Sequence, residues 1–251
     1  MNSKLKEEWL QEEQEIFQGW DFSHLNGRWD SEELPWDYRT VVNEYRNPDQ
    51  KLLDMGTGGG EFLLSLKHPY ENTAVTESWA PNIQLCKERL EPLEITVSAV
   101  ENISRLPFAD DSFDIVINRH AAYDADEIKR VLKPHGMFIT EQVGEKNNIL
   151  LSQRLIENYR PKYLNFTLKA ELERFEEKRF VIRYRDEAFL QSRFYDIGAV
   201  VYYAKIIPWE FPGFSVEHCY EKLCALQKDL EQFGFVESSE HRFILAAQNI
   251  K

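Results

Sequence analysis

Through the middle of the chain, short apolar blocks alternate with stretches of helical spacing. Lys51 to Met55, Thr73 to Glu77, Ile95 to Ala99, Phe113 to Asn118 and Met137 to Gln142 read as strands. Glu61 to Leu66, Pro81 to Leu90 and Ala125 to Leu132 read as the helices between them. Strands separated by helices of this length predict an α/β fold with a doubly wound, mostly parallel sheet. Ligands in such sheets gather at the carboxyl ends of the strands.

The flanks follow other rhythms. Residues 4–18 set Leu5, Trp9, Leu10 and Phe17 among many Glu and Gln, an approximate helical stripe with an acidic back. Gly19 to Tyr38 is dense in aromatics (Trp20, Phe22, Trp29, Trp36, Tyr38), and a helix over Trp36 to Arg46 ends before Asn47-Pro48. The aromatics either fold over a ligand cleft as a lid or bury themselves as packing. Beyond Gly144 the pattern predicts helices at Asn148 to Asn158 and Leu168 to Glu177, then a strand at Arg179 to Tyr184. A helix over Ile197 to Ile207 capped by Asp196, another over Val216 to Phe233 ending at Gly234, and a last strand at Arg242 to Ala247 complete the chain.

Composition narrows the partners. The 251 residues carry a formal net charge of -13, which argues against gripping a long nucleic-acid backbone. Cys86, Cys219 and Cys224 form no C-x-x-C pair, as suits a reducing compartment, and no histidine has metal-ligand spacing, so no metal is expected. The charged start is no signal peptide, and the apolar stretch Gly198 to Trp209 is interrupted by Lys205 and too short to span a bilayer. The expectation is a soluble cytoplasmic protein without a membrane role.

The chemistry concentrates at Asp54-Met55-Gly56-Thr57-Gly58-Gly59-Gly60-Glu61, where a buried strand turns into a helix. Missing side chains there let a ligand approach backbone N–H groups. A dinucleotide site of G-x-G-x-x-G type wants a small residue where Glu61 stands, and a P-loop wants Gly-Lys-Ser/Thr. Both lose ground. A glycine-rich turn with no ligand is the bland alternative.

The loop resembles the first motif of class I S-adenosylmethionine-dependent methyltransferases, an acidic residue followed by G-x-G-x-G, here Asp54, Gly56, Gly58 and Gly60. Three later segments resemble the same family in the same order: Glu77 closing the second strand, Leu106-Pro-Phe-Ala-Asp-Asp-Ser-Phe-Asp114 entering the fourth, and Arg130-Val-Leu-Lys-Pro-His-Gly136 turning into the fifth. The kinship is with the type 11 methyltransferase group, over roughly residues 50 to 143. It implies seven strands with the last antiparallel. With the flanking pattern, the expected division is an N-terminal helical and aromatic cap over residues 1–48 and a methyltransferase domain over 49–251. Within that domain, helical insertions over 145–235 are expected to cover the acceptor site.

The resemblance also implies S-adenosylmethionine as cofactor. Its methionine part would lie near Asp54 and the backbone of Gly56, Thr57, Gly58 and Gly60, its ribose on Glu77, and its adenine near Ala99 and Val100. Glu101 either substitutes for the acidic residue that relatives carry at the end of the third strand, or the adenine contact is backbone only. Asn118 and Arg119 would approach the sulfonium. His120 is a candidate base or acceptor-orienting group with Tyr123 beside it, or else a brace for the following helix. Gln142, Asn147 and Asn148 either line the same mouth or hold turns. The expected activity is methyl transfer to a small molecule. An RNA or protein methyltransferase and a non-catalytic cofactor-binding scaffold are the alternatives.

Overall fold

The computed structural model describes residues 3–17 and 22–251. The elements are α1 Ser3–Gln14, β1 Trp29–Ser31, α2 Tyr38–Tyr45, β2 Leu52–Met55, α3 Glu61–Ser65, β3 Thr73–Glu77, α4 Ala80–Leu90, β4 Thr96–Ala99, β5 Phe113–Arg119 and α5 Ala125–Val131. They continue with β6 Leu132–Val143, α6 Ile149–Leu155, α7 Leu168–Glu177, β7 Phe180–Phe194, α8 Ile197–Ile206, α9 Val216–Phe233 and β8 Val236–Asn249. Hydrogen-bonded strands run in the order β1-β7-β8-β6-β5-β2-β3-β4, which among the described residues makes eight strands where seven are expected. The extra strand is β1, three residues antiparallel to the far end of β7.

The strands that read most clearly are the parallel ones. β2 pairs with β3 and with β5, β3 with β4, and β5 with β6, all in parallel. Every residue of β2 and β3 is buried, as expected of strands covered on both faces. β8 lies antiparallel to β6, in keeping with the family pattern. Strand order reverses between β2 and β5, so their carboxyl ends form the switch point where ligands of open α/β sheets bind.

The chain divides into two units. One comprises Pro35–Val143, Phe166–Glu187 and Arg242–Lys251, and its core joins Leu53, Val116, Ile128, Phe138, Phe175 and Leu245. The other comprises Met1–Leu34, Gly144–Asn165 and Ala188–His241. Its centre is α8, buried on every side except at Lys205 and capped as expected by Asp196, which accepts from the Ala199 N–H at 2.7 Å. A helix apolar all round is a buried core helix at this length. Among the described residues no helix is long and apolar enough to cross a membrane.

The aromatic segment divides with the units. Trp29 stacks on Tyr203 at 6.0 Å and lies near Phe194 in the second unit, whereas Trp36 and Tyr38 are buried in the first. These residues pack. Gly19 and Trp20 lie outside the described residues. Within the stretch 145–235, the strand expected over Arg179 to Tyr184 is longer, forming the 15-residue β7 Phe180–Phe194 among the expected helices. In the same stretch Asn147 and Asn148 are buried and donate to Glu210, and Asn148 adopts φ 51°, so the pair holds a turn.

Candidate active site

The site grows from the end of β2. Asp54 is buried there and accepts from the Thr57 hydroxyl at 2.6 Å. Burial pushes its carboxyl up to about 7; the Thr57 bond opposes the rise and the charge of Glu77 adds to it. The loop then turns through Gly56 at φ 71° and Gly58 at φ 64°. A Cβ on Gly56 would come 2.3 Å from the Ala121 Cβ, so glycine is required by both space and backbone. A Cβ on Gly58 would meet nothing within 4 Å, which leaves the crest of the loop open to a ligand.

Glu77, at the end of β3, fixes the loop from the side. It accepts the N–H of Gly58 at 2.9 Å on one oxygen and those of Ser78 and Trp79 at 2.7 and 3.1 Å on the other. A carboxylate has about four acceptor positions, so about one remains for an incoming hydroxyl. Ala99, which ends β4, and Glu101 beyond it are exposed, whereas Val100 turns its side chain into the core and donates its N–H to the Glu77 carbonyl at 2.9 Å.

The end of β5 supplies the second half. Asn118 is fully buried; its amide donates to the Met55 carbonyl and accepts from Thr140 and Gln142. Gln142 also donates to the Ala121 carbonyl. Both residues therefore tie β2, β5 and β6 together and hold Ala121 against Gly56. His120 follows at φ 55°, its N–H on the Glu141 carbonyl at 2.9 Å. A left-handed histidine is a strained position of the kind that collects at functional sites. Its ring is 39% exposed, with Nε2 3.5 Å from Glu141 Oε1. Burial lowers its pKa below the ordinary 6.5 and outweighs the pull of Glu141, so the imidazole is neutral at pH 7 and able to take a proton.

Tyr123 falls elsewhere. It packs on Phe138 in the core and its hydroxyl donates to Glu171 at 2.7 Å, so it braces α7 rather than facing a reactant.

One residue of the site, Glu141, is not named by the sequence pattern, and Trp36 enters there only as one of the aromatics of the segment up to Tyr38. Glu141, on β6, is 1% exposed and gathers Arg119 Nε and Trp36 Nε1, each at 2.8 Å. Burial opposes its charge, yet His120, Arg119 and Trp36 hold its carboxyl down to about 2. The signal for Glu141 is a lone acid in the otherwise uncharged run Met137 to Val143; for Trp36 it is the density of aromatics from Gly19 to Tyr38. Among the described residues no group of three or more His, Cys, Asp and Glu side chains is placed to hold a metal.

An open glycine loop clamped by an acid at the switch point of a mostly parallel sheet agrees with a class I methyltransferase fold. Residues 53–140 match the family model described as a methyltransferase domain, and this stretch of the chain belongs to that family. The chain is 35% identical over 101 residues to a phthiotriol/phenolphthiotriol dimycocerosates methyltransferase of Mycobacterium tuberculosis, an alignment covering 37% of this chain and 36% of that protein. The match thus spans about a third of the length of that curated relative. Among solved structures, a putative methyltransferase from Bacillus halodurans C-125 superposes with a TM-score of 0.58 at 14% identity, over 86% of this chain and 99% of that one. Geranyl diphosphate C-methyltransferase from Streptomyces coelicolor A3(2), solved with Mg2+, geranyl diphosphate and S-adenosyl-L-homocysteine, superposes with a TM-score of 0.50 at 14% identity, over 84% of this chain and 78% of that one. At such identity these two likenesses concern the fold.

Proposed function

We propose that the chain transfers a methyl group from S-adenosylmethionine to a small-molecule acceptor. The observation that carries this reading is the open Gly58 crest, held by Glu77 on one side while Gly56 rests against the segment that presents His120. The matching family, and the spent donor held by a protein of like fold, support the same cofactor.

The residues present fit that donor. Asp54 would face its amino group, the backbone of Gly56, Thr57, Gly58 and Gly60 its methionine part, and the free acceptor position of Glu77 one ribose hydroxyl. Ala99, Glu101 and the backbone of Val100 would border the adenine. The donor supplies a methyl group bound to a sulfonium, open to in-line attack. What the chain adds is placement, since a nucleophile held roughly 3 to 3.5 Å from its target reacts without a covalent enzyme residue. Asn118 acts through Met55 and Gln142 by fixing the strand ends. His120, neutral and partly exposed, takes the proton of a hydroxyl or amine acceptor or orients it. The choice of acceptor is assigned to residues 1–48 and 145–235, outside the matched stretch.

Isothermal titration with S-adenosylmethionine and S-adenosylhomocysteine tests the donor half. Transfer of labelled methyl into a fractionated metabolite extract, set against purified RNA and protein, tests the acceptor half. Label in the metabolite fraction supports the proposal, whereas label in RNA or protein, or binding with no labelled product, overturns it. His120→Ala should lower turnover while leaving donor affinity nearly unchanged, and a strong loss of donor affinity would refute the role given to His120.

A further inference from the structure

Arg119 leaves the carboxyl end of β5 with its side chain 47% exposed. One edge of its guanidinium is anchored, because Nε donates to the buried carboxylate of Glu141 at 2.8 Å. Glu141 is held in turn by the Trp36 N–H. The guanidinium also lies over the Tyr38 ring, 5.8 Å from its centroid. Tyr38 itself is buried and pinned by its hydroxyl, which donates to the Asn118 carbonyl at 3.0 Å. Position and plane of the guanidinium are therefore set before any ligand arrives, and little rotamer entropy is left to lose.

The other edge is unused. Among the described residues neither Nη of Arg119 donates a hydrogen bond. Structural arginines of this chain behave differently: Arg130 places its Nη groups on Phe108, Asp110, Leu106 and Glu127, and Arg28 places its own on His24, Glu12 and Asp196. A guanidinium carries five N–H donors, so Arg119 presents four of them as a planar fork. Arg242 adds its positive charge to the same neighbourhood, where it lowers the pKa of His120 alongside Arg119. A fixed cation beside a sulfonium repels it, whereas a fork of N–H groups matches the two oxygens of a carboxylate or phosphate.

We propose that Arg119 is an anion-binding residue that grips a carboxylate or phosphate of a reactant next to His120, with Glu141 and Tyr38 positioning it. The identity of the reactants rests on the methyl-transfer reading. The anion belongs either to the methionine end of the donor or to the acceptor, and the test separates the two.

Affinity for S-adenosylhomocysteine and for 5′-methylthioadenosine, which lacks the amino-acid end, is measured by titration calorimetry on the intact chain and on Arg119→Gln and Arg119→Lys. Inorganic phosphate is then added to each protein, with and without S-adenosylhomocysteine, and its binding is read from the phosphorus NMR line width. A loss of about tenfold or more in S-adenosylhomocysteine affinity in R119Q, with methylthioadenosine unchanged, places the donor carboxylate on Arg119. Unchanged S-adenosylhomocysteine affinity, with phosphate binding present in the parent and lost in R119Q, places an acceptor anion there. R119K keeps the charge and loses the fork, so it should show a smaller loss in the same arm; it also serves if R119Q fails to fold. Equal affinities for both nucleosides and for phosphate in parent and variants overturn the proposal. If the parent binds no S-adenosylhomocysteine the methyl-transfer reading fails, yet the phosphate arm still reads Arg119.

Discussion

Replacing Asp54 by Asn should remove a proton that the protein sheds when the donor binds. Burial pushes the Asp54 carboxyl up to about 7, against the pull of the Thr57 hydroxyl. The amino group proposed to face it is cationic and prefers the ionised form. If only that form binds, its share rises from about 3% at pH 5.5 to about three quarters at pH 7.5, so donor affinity should climb about 25-fold across that range. At pH 6.5 about three quarters of a proton should leave per donor bound. Calorimetry in buffers of different ionisation enthalpy measures both quantities, and D54N should be flat in each. The stability sign follows from the same shift. A carboxyl raised in the folded state binds extra protons between about pH 4 and 7, so unliganded stability falls as pH rises through that window. D54N escapes this loss and should be more stable than the parent above pH 7, by up to about 4 kcal/mol. Donor affinity independent of pH in the parent, or a pH slope surviving in D54N, would sink the assignment.

Two glycine variants should part company. Gly56→Ala meets Ala121 at 2.3 Å in a left-handed backbone and should lose about 2–4 kcal/mol in urea denaturation. Gly58→Ala has space around it, so it should lose only about 1 kcal/mol of stability while giving up donor affinity about tenfold or more. Glu141, held down to about 2, contributes stability that is present above its unfolded pKa and lost as pH falls from about 4.5 towards 2. Glu141→Gln should therefore lack about 3 kcal/mol of acid sensitivity in denaturation compared between pH 5 and 2. Tyr123→Phe should lower stability by about 1–2 kcal/mol through its lost bond to Glu171, with donor affinity unchanged. A tenfold fall in turnover at unchanged stability would return Tyr123 to the chemistry.

Local chemistry made some parts of the fold plain. Strand β3 coincides with its expected span, Asp196 caps α8, and Gly234 closes α9 in the left-handed conformation. Each signal is contained within a few residues: an apolar block, a side-chain oxygen three positions before an N–H, a glycine after an amphipathic stretch. The pattern predicts β7 only over Arg179 to Tyr184; beyond it burial still alternates to Phe194, but residue types come in blocks (Arg185 to Glu187, Ala188 to Leu190, Gln191 to Arg193), so no period of two is visible there. β1 had no chance of being read. Three residues form a strand there only because the end of β7 lies opposite, a pairing that no window of sequence contains.

The same distinction divides the site. The donor half is local, since Asp54 to Gly60 form one turn and Glu77 closes the adjacent strand, so sequence spacing and spatial proximity coincide. The other half is assembled from the start of α2 and the ends of β5 and β6, three places far apart in the chain. The resemblance sets Arg119 near the sulfonium by its place past the fourth strand, and nothing along β5 points to Glu141. Only the contact between them shows that the guanidinium has one edge committed and one edge open. A charge whose meaning depends on its partner is legible once the partner is known. For this site the partner is a buried carboxylate on the neighbouring strand, and it turns a cation badly suited to a sulfonium into one prepared for an anion.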